Sequence, residues 1–349
     1  MKKLSFRTWL SIATIVLVVG LLYVSRHQLQ QAWTLLSEVN VGLLALVIPI
    51  TAASYLASGE MIFSYLRQKK LMSGIGAWTL MRVSLELNFV NHVLPSGGVS
   101  GVSYLNWRMG KLGVSMSRAT MAQAVRYVAG FAAMTTLLAL SVLLVTIDGN
   151  INRWIILMST VLVSVMIAAT VGFVYVVRSP TRMHRVAAWL ERWVNGLVQR
   201  VTRDTTKRVI DVKKLNIFLD DMHDDYLSLS KDRKVLIQPY LWGIGFTLME
   251  IALFYVTFLA LGSSVNPASI LIAYGVASLT GFAIITPGGA GAYEAVMVMV
   301  LATAGLSKET SIAGVVLARV IILLVTIVLG YVFYQMTLVK YGKHSNPSV

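Results

Sequence analysis

The sequence predicts an all-α polytopic membrane protein made of two inverted-topology repeats. Three observations predict it: bulk hydropathy, the distribution of basic residues, and a pattern of charges and glycine breaks that occurs twice. Hydrophobic residues make up 56% of the chain and charged residues 13%, with a mean hydropathy of +0.72, far from the soluble average. Most of the 349 residues are consumed by apolar spans of about 20 residues each. Little is left for a separate catalytic domain. A formal charge of +15 reads as basic loops held against anionic lipid at the cytoplasmic leaflet. It does not point to nucleic acid, because no basic patch with base-stacking aromatics lies in a soluble stretch. The absence of cysteine excludes disulfides and thiolate metal sites.

In chain order, Lys2, Lys3 and Arg7 precede an apolar run from Trp9 to Val24. That run is signal-like in charge and length, but no small-x-small cleavage site follows it, so it is expected to be a retained first helix starting in the cytoplasm. A second span from about Val41 to Leu66 ends at Arg67, Lys69 and Lys70. An apolar segment from about Ile75 to Leu94 is then broken by Pro95, Gly97, Gly98 and Gly101 and continues to Trp107, with Arg108, Lys111 and Arg118 beyond. Basic residues on both sides imply a hairpin that leaves the cytoplasm and returns, either re-entrant or as two tilted helices. Broken backbone at membrane depth must be buried in protein or line a wet cavity. Spans from Ala119 to Ile147 and from Trp154 to Val177 flank the Asp148-Gly149-Asn150 turn.

Residues 178–234 hold 13 Lys/Arg and 8 Asp/Glu, the one sizeable polar region. Within it Val186, Trp189, Leu190, Trp193, Val194, Leu197, Val198 and Val201 follow helical spacing. With arginines opposite, this stripe reads as a helix lying on the cytoplasmic leaflet, the alternative being a soluble helix packed on the loop. Asp220, Asp221, Asp224 and Asp225 have the spacing to hold a hard cation, but they read first as a solvated face balancing nearby lysines. The second half repeats the plan. A span from Leu236 to Leu261 is followed by Ala268 to Ile285, a Thr286-Pro287-Gly288-Gly289-Ala290-Gly291 break, a return from Ala292 to Gly305, and a last span from Ile312 to Val339. The expected organisation is repeat 1 over residues 1–150 and repeat 2 over 151–340. A cytoplasmic helical insertion at about 178–235 and a flexible 341–349 tail complete it.

On this topology 24 Lys/Arg lie in the cytoplasm, 3 outside (Arg26, Arg153 and Lys308) and 3 within the membrane (Arg82, Arg126 and Arg319). The chain is therefore expected in the cell membrane, multi-pass, with both termini cytoplasmic. The repeat lies in Glu60, Pro95 and Arg126, spaced by 35 and 31 residues, and in Glu250, Pro287 and Arg319, spaced by 37 and 32. The first hairpin enters from the cytoplasm and the second from outside. Inverted repeats with interrupted helices are a recurring build of transporters, whose site lies near the midplane.

Intramembrane charge costs about 2.5–3.5 kcal/mol per residue at a helix centre, so it is paired or functional. Seven residues qualify: Glu60, Arg82, Glu86, Arg126, Glu250, Glu294 and Arg319. Arg126 and Arg319 either neutralise Glu60 and Glu250 or contact substrate. Arg82 and Glu86 are spaced to satisfy each other on one helical face. Glu294 sits where a helix start favours a carboxylate. The backbone of Pro95, Gly97, Gly98, Pro287, Gly288, Gly289 and Gly291 could present free amides to an anion or act as hinges, and arginine adds a bidentate fork suited to phosphate. Gly97 and Gly101 equally suit close helix packing. The five histidines have no metal-ligand spacing, and His92 reads as a polar helix-end residue. No cofactor or metal is expected, and no catalytic set can be named.

Asn91-His92-Val93-Leu94-Pro95-Ser96-Gly97-Gly98 and Thr286-Pro287-Gly288-Gly289-Ala290-Gly291-Ala292-Tyr293-Glu294 resemble the transmembrane region of lysylphosphatidylglycerol synthases and related flippase-like proteins of bacteria and archaea. The likeness covers roughly residues 5–340. It implies movement of lipids, such as aminoacylated phosphatidylglycerol, between leaflets. It also implies phosphatidylglycerol lysyltransferase activity for complete synthases, which carry a soluble domain taking lysine from lysyl-tRNA. No such domain is expected after Val339. The reading is thus a lipid-binding flippase or transporter of a phosphate-bearing or aminoacylated lipid. The alternatives are a membrane enzyme or enzyme subunit served by a separate soluble transferase partner, and a structural membrane subunit.

Overall fold

The computed structural model describes residues 16–147 apart from 17, 21, 25, 36, 38, 73 and 95–98, together with 153–202, 212–283 and 291–341. Every regular element among them is helical, as the sequence predicts. After α1 (Arg26–Leu35) come α2 (Val41–Ala45) and α3 (Val47–Gln68), then the short pair α4 (Ala77–Val93) and α5 (Val99–Gly110). Next are α6 (Met116–Ile147), α7 (Arg153–Val177), α8 (Pro180–Thr202) and α9 (Val212–Lys231). The second half holds α10 (Ile237–Ala260), the short pair α11 (Pro267–Ala283) and α12 (Ala292–Thr303), α13 (Lys308–Val325), a π-helical turn (Thr326–Gly330) and α14 (Tyr331–Tyr341).

Among the described residues five segments are long and apolar enough to cross a membrane: Val41–Gln68, Met116–Ser141, Ile156–Val177, Arg233–Ala260 and Lys308–Tyr341. Each corresponds to a predicted span. The sixth predicted span, Trp9 to Val24, lies largely outside the described residues. The paired helices are shorter. At 1.5 Å per residue, α12 is about 18 Å long and α4 about 26 Å, against a hydrocarbon thickness of about 30 Å. Helix ends are closed locally. Asn40 caps α2 through Oδ1, which accepts from Leu43 N at 3.1 Å, and its own amide reaches Ala260 O at 2.9 Å. Gly262 (φ 74°) follows α10, where Ser263 N bonds to Phe258 O at 2.9 Å, the left-handed stop that glycine adopts without a Cβ penalty.

Packing forms two apolar cores rather than one. The first gathers Leu44 and Val47, Met134 and Leu138, Phe254 and Phe258, α11 and α12, and Val315 to Ile322. The second gathers Ile62 to Leu66, α4 and α5, Ala119 to Val125, Met183, Met222, Val235, Tyr334 and Leu338. The helices α3 and α6, the Arg233–Ala260 span and the α13–α14 span each run from one core to the other. Between the cores α3 buries Thr51, Ser54, Tyr55 and Ser58. The two short pairs thus belong to opposite ends of the long helices, and Arg67, Lys69, Arg178, Arg233 and Lys340 gather at the second-core end.

The amphipathic insertion packs with Ala187 and Met183 inward against α9 and α7. Trp189 and Trp193 stack 6.3 Å apart and stand 57% and 59% exposed. Asp220 does not gather with its neighbours around an ion, since its Oδ1 lies 2.7 Å from His184 Nε2. The π-helical turn lies against α4, where Gly330 leaves no room for a Cβ beside Phe89. Gly101 makes the same close approach to Asn91 inside the first short pair.

Candidate functional site

The charged residues singled out by the sequence are satisfied by partners other than those their spacing suggests. Glu86, on α4, does not pair with Arg82. It is fully buried and accepts from Tyr104 Oη at 2.7 Å, Arg108 Nε at 3.2 Å and Thr337 Oγ1 at 2.5 Å. Arg108 is a correction of the loop count, which placed it in cytoplasmic solvent: it is 3% exposed and lies 4.9 Å from the Tyr341 ring centre. Its aliphatic stem and planar head fit a buried ion pair on the last turn of α5. Arg82 instead stands 5.3 Å from the Phe333 ring centre, a cation–π contact. Its Nε is buried without a hydrogen-bond partner among the described residues.

Glu60 meets Arg67, two helical turns along α3, with Arg67 Nη1 donating to Oε1 at 3.2 Å and a second, shorter bond from Nη2 to Oε2. It does not pair with Arg126. Arg319 donates from Nε to Glu294 Oε1 at 2.8 Å and lies 4.4 Å from the Tyr293 ring centre, so it does not form an ion pair with Glu250. Glu294 also accepts the Gly291 amide at 2.6 Å through Oε2, closing the start of α12 where the helix dipole favours a carboxylate. Gly291 has φ of 90° there, a conformation open to glycine. Pro95, Gly97, Gly98, Pro287, Gly288 and Gly289 lie outside the described residues.

Glu250 remains without an ion pair among the described residues. The Ser54 hydroxyl of α3 lies near it and donates to Thr51 O at 3.0 Å. Around this carboxyl the waist between the cores is lined with hydroxyls the sequence reading did not single out. Tyr55 Oη is hydrogen-bonded to Thr326 Oγ1, whose own proton goes to Ile322 O at 2.6 Å. The His92 ring lies 6.1 Å from Tyr55 and its Nδ1 is 2.8 Å from Asn88 O, a helix-end contact as expected. A usable signal was the run of Ser, Thr and Tyr at 51–58 inside an otherwise apolar span.

Arg126 occupies a different setting. It lines a cavity of 220 Å³ between α3, α6, α7, α10 and α11. Met61, Phe131, Met134, Met166 and Phe246 form its apolar wall, and Tyr127, Thr247, Tyr274 and Ser278 supply hydroxyls. Arg126 is the one charged group on the wall, and among the described residues it has no ion-pair partner. A lone guanidinium among hydroxyls and aliphatic surface suits an anionic group attached to an apolar body.

Two proteins of Methanothermobacter thermautotrophicus, each named a UPF0104 membrane protein, are similar to this chain. One is 24% identical over 237 residues, 66% of this chain and 67% of its own. The other is 25% identical over 194 residues, 56% of this chain and 54% of its own, so the likeness spans about half of that relative. Residues 8–330 match the family described as the lysylphosphatidylglycerol synthase TM region. With five helices among the described residues long and apolar enough to span a membrane and a match over most of its length, the chain is an integral membrane protein belonging to the lysylphosphatidylglycerol synthase transmembrane-region family.

Proposed function

We propose that the protein is a lipid carrier of the cell membrane that binds a phosphate-bearing or aminoacylated phospholipid through Arg126 and moves it between leaflets. The observation that carries this reading is the Arg126 cavity, whose single cation has no counter-ion among the described residues and whose wall is otherwise apolar and hydroxylic. At 220 Å³ it falls below the usual range of ligand pockets, about 300–1,000 Å³. It suits a headgroup and the first part of its chains rather than a whole lipid. The placement of the two short helix pairs in opposite cores supports an inverted repeat. The basic second-core end supports cytoplasmic termini there. The exposed Trp189 and Trp193, flanked by arginines, support contact of α8 with the anionic cytoplasmic leaflet.

The test is reconstitution into phosphatidylcholine vesicles carrying fluorescent phosphatidylglycerol, with dithionite quenching of the outer leaflet. Arg126→Ala is expected to slow translocation by about tenfold or more, the worth of one charge-assisted phosphate contact of roughly 1.5–3 kcal/mol. An unchanged rate in a folded Arg126→Ala protein refutes the site. The enzyme reading differs in its product, and lysyl transfer from charged tRNA to phosphatidylglycerol by this chain alone would establish it instead.

A further inference from the structure

A helix end leaves its last carbonyls without helical partners, and at the end of α7 all four are occupied. Val174 O accepts from Arg178 N at 3.0 Å, Val176 O from Ser179 N at 3.2 Å and Tyr175 O from Arg182 Nη1 at 2.7 Å. Val177 O lies 2.8 Å from His223 Nδ1 of α9. The negative end of the helix dipole is thereby covered. Only Arg182 spends a side-chain cation on it, and it commits one of the five N–H donors of its guanidinium. Its head lies 3.6 Å from the Tyr175 ring centre, a stack that holds the planar group in place. Neither Arg178 nor Arg182 has an ion-pair partner among the described residues. Asp220 on the neighbouring α9 is engaged by His184.

The chain turns sharply here, because Pro180 opens α8 and Ser179 O accepts the amides of both Arg182 and Met183, at 3.0 and 3.1 Å. The elbow holds a cavity of 480 Å³, more than twice the Arg126 cavity of 220 Å³ and sharing no lining residue with it. Ligand pockets usually run to about 300–1,000 Å³. Arg178, Ser179 and Arg182 form its polar end, and Val171, Val174 and Tyr175 its apolar wall. Val171 and Tyr175 are 61% and 60% exposed, on the least buried of the five spans. Val171 stands about 10 Å below Arg178 along the helix. The cations therefore sit where the apolar span ends, and the wall descends from them into hydrocarbon. A dissolved anion would leave that wall uncovered, and an apolar tail alone would leave the arginines without a counter-charge. A molecule with an anionic head and a hydrocarbon tail satisfies both.

We propose that the α7–α8 elbow is a second lipid site, which holds one anionic phospholipid with its phosphate on Arg178 and Arg182 and an acyl chain along Val171, Val174 and Tyr175. This lipid is a resident of the surrounding leaflet and tethers the start of α8 where the chain leaves the membrane. The site does not depend on the carrier reading, since it uses neither Arg126 nor any residue of its cavity.

The test is native mass spectrometry of the full chain in detergent, titrated with phosphatidylglycerol or with phosphatidylcholine of the same chain length. The wild type is expected to hold phosphatidylglycerol in preference to phosphatidylcholine. The double substitution Arg178→Gln with Arg182→Gln should weaken the phosphatidylglycerol adduct by about tenfold or more, the worth of two cations at a lipid surface. Lys111→Gln with Lys231→Gln removes the same charge from two exposed positions outside the elbow and should leave the adduct as it is. Equal losses in the two double variants mean that net charge alone attracts the lipid, which overturns the proposal. Val171→Trp fills the apolar wall while keeping both arginines, so it should also displace the adduct, and it decides the matter if the arginine variant does not fold. An adduct indifferent to Val171→Trp overturns the site. Displacement of the lipid by millimolar inorganic phosphate shows a headgroup-only anion site and overturns the acyl wall. A dimer that Val171→Trp dissociates shows that a second copy of the chain covers the groove, and it overturns the lipid as occupant. Arg126→Ala should keep the elbow adduct, so failure of the Arg126 site and failure of this one are read separately.

Discussion

Truncating Glu86 to alanine is expected to be the most damaging single substitution in the second core, by about 3–5 kcal/mol. The estimate follows from its surroundings. Glu86 is 0% exposed and Arg108 3%, so removing the carboxylate leaves a guanidinium in the protein interior. Its Nη1 already lacks a hydrogen-bond partner among the described residues. Breaking a buried pair by deleting one partner costs about that amount, because the remaining charge has nowhere to go. Tyr104 and Thr337 lose their acceptor as well, each hydrogen bond to a charged group being worth roughly 1.5–3 kcal/mol before relaxation. At about 1.4 kcal/mol per decade, 4 kcal/mol lowers the folded-to-unfolded ratio by nearly a thousandfold. Unfolding by SDS titration in mixed micelles, monitored by tryptophan fluorescence, measures it. The double substitution Glu86→Leu with Arg108→Met should recover part of the loss, since replacing both charges by apolar groups of similar volume is often close to neutral. If Glu86→Ala lies within 1 kcal/mol of wild type, or the double substitution is worse than the single, the assignment of Glu86 as the anchor of α5 and α14 is wrong.

Two further outcomes can be checked in the same preparation. Burial of Asp225 against α6 raises its carboxyl above the ordinary carboxylate range, more than Arg118 and Lys69 draw it down, with Asp221 and Asp224 adding to the rise. The folded state therefore holds this proton more tightly than the unfolded chain, so its contribution to stability is full at low pH and is lost as pH rises through the raised value. Asp225→Asn should flatten that part of the pH profile of thermal unfolding, and an unaltered profile counts against the burial argument. At Gly314 a Cβ would strike the ring of Phe258, which is fully buried. Gly314→Ala is expected to cost about 1–3 kcal/mol by overpacking despite its better helix propensity, with Phe258→Leu relieving part of it, and a stabilised Gly314→Ala in the same SDS titration contradicts this.

The spans were legible because membrane thickness imposes a length on apolar runs, and Val41 to Leu66 or Trp154 to Val177 can be read with no knowledge of their neighbours. The charge partners were not. Helical spacing reveals only pairs on one helix, so Arg82 and Glu86 looked matched. The true partners of Glu86 come from α5 and from Thr337, 251 positions away, and packing brings them together. Glu60 and Arg67 lie two turns apart on one face and were readable, had the basic end of the span not been taken for loop. Arg108 shows the same bias, since a charge after a glycine break reads as solvent although the helix continues to Gly110. Glu294 was legible as a helix start because Gly291 stands three residues before it. The isolation of Glu250 was invisible, since it depends on which arginine Glu294 takes.

The π-helical turn at Thr326–Gly330 gives the last span an unusual mechanical character. Arg319 and Thr337 are 18 residues apart, five turns of α-helix, and on a straight helix they would point the same way. The widened turn lags the α-helical phase by roughly a quarter revolution over its five residues. Arg319 thereby engages Glu294 on one side while Thr337 engages Glu86 on another. The span behaves as a crankshaft with two throws set out of phase, so that twisting at one throw is delivered to the other in a different direction. Removing one residue from the turn would restore regular α-helix yet leave the throws about a quarter revolution apart, since 17 steps of about 100° also fall short of five turns, whereas straightening the turn at constant length would bring them into line.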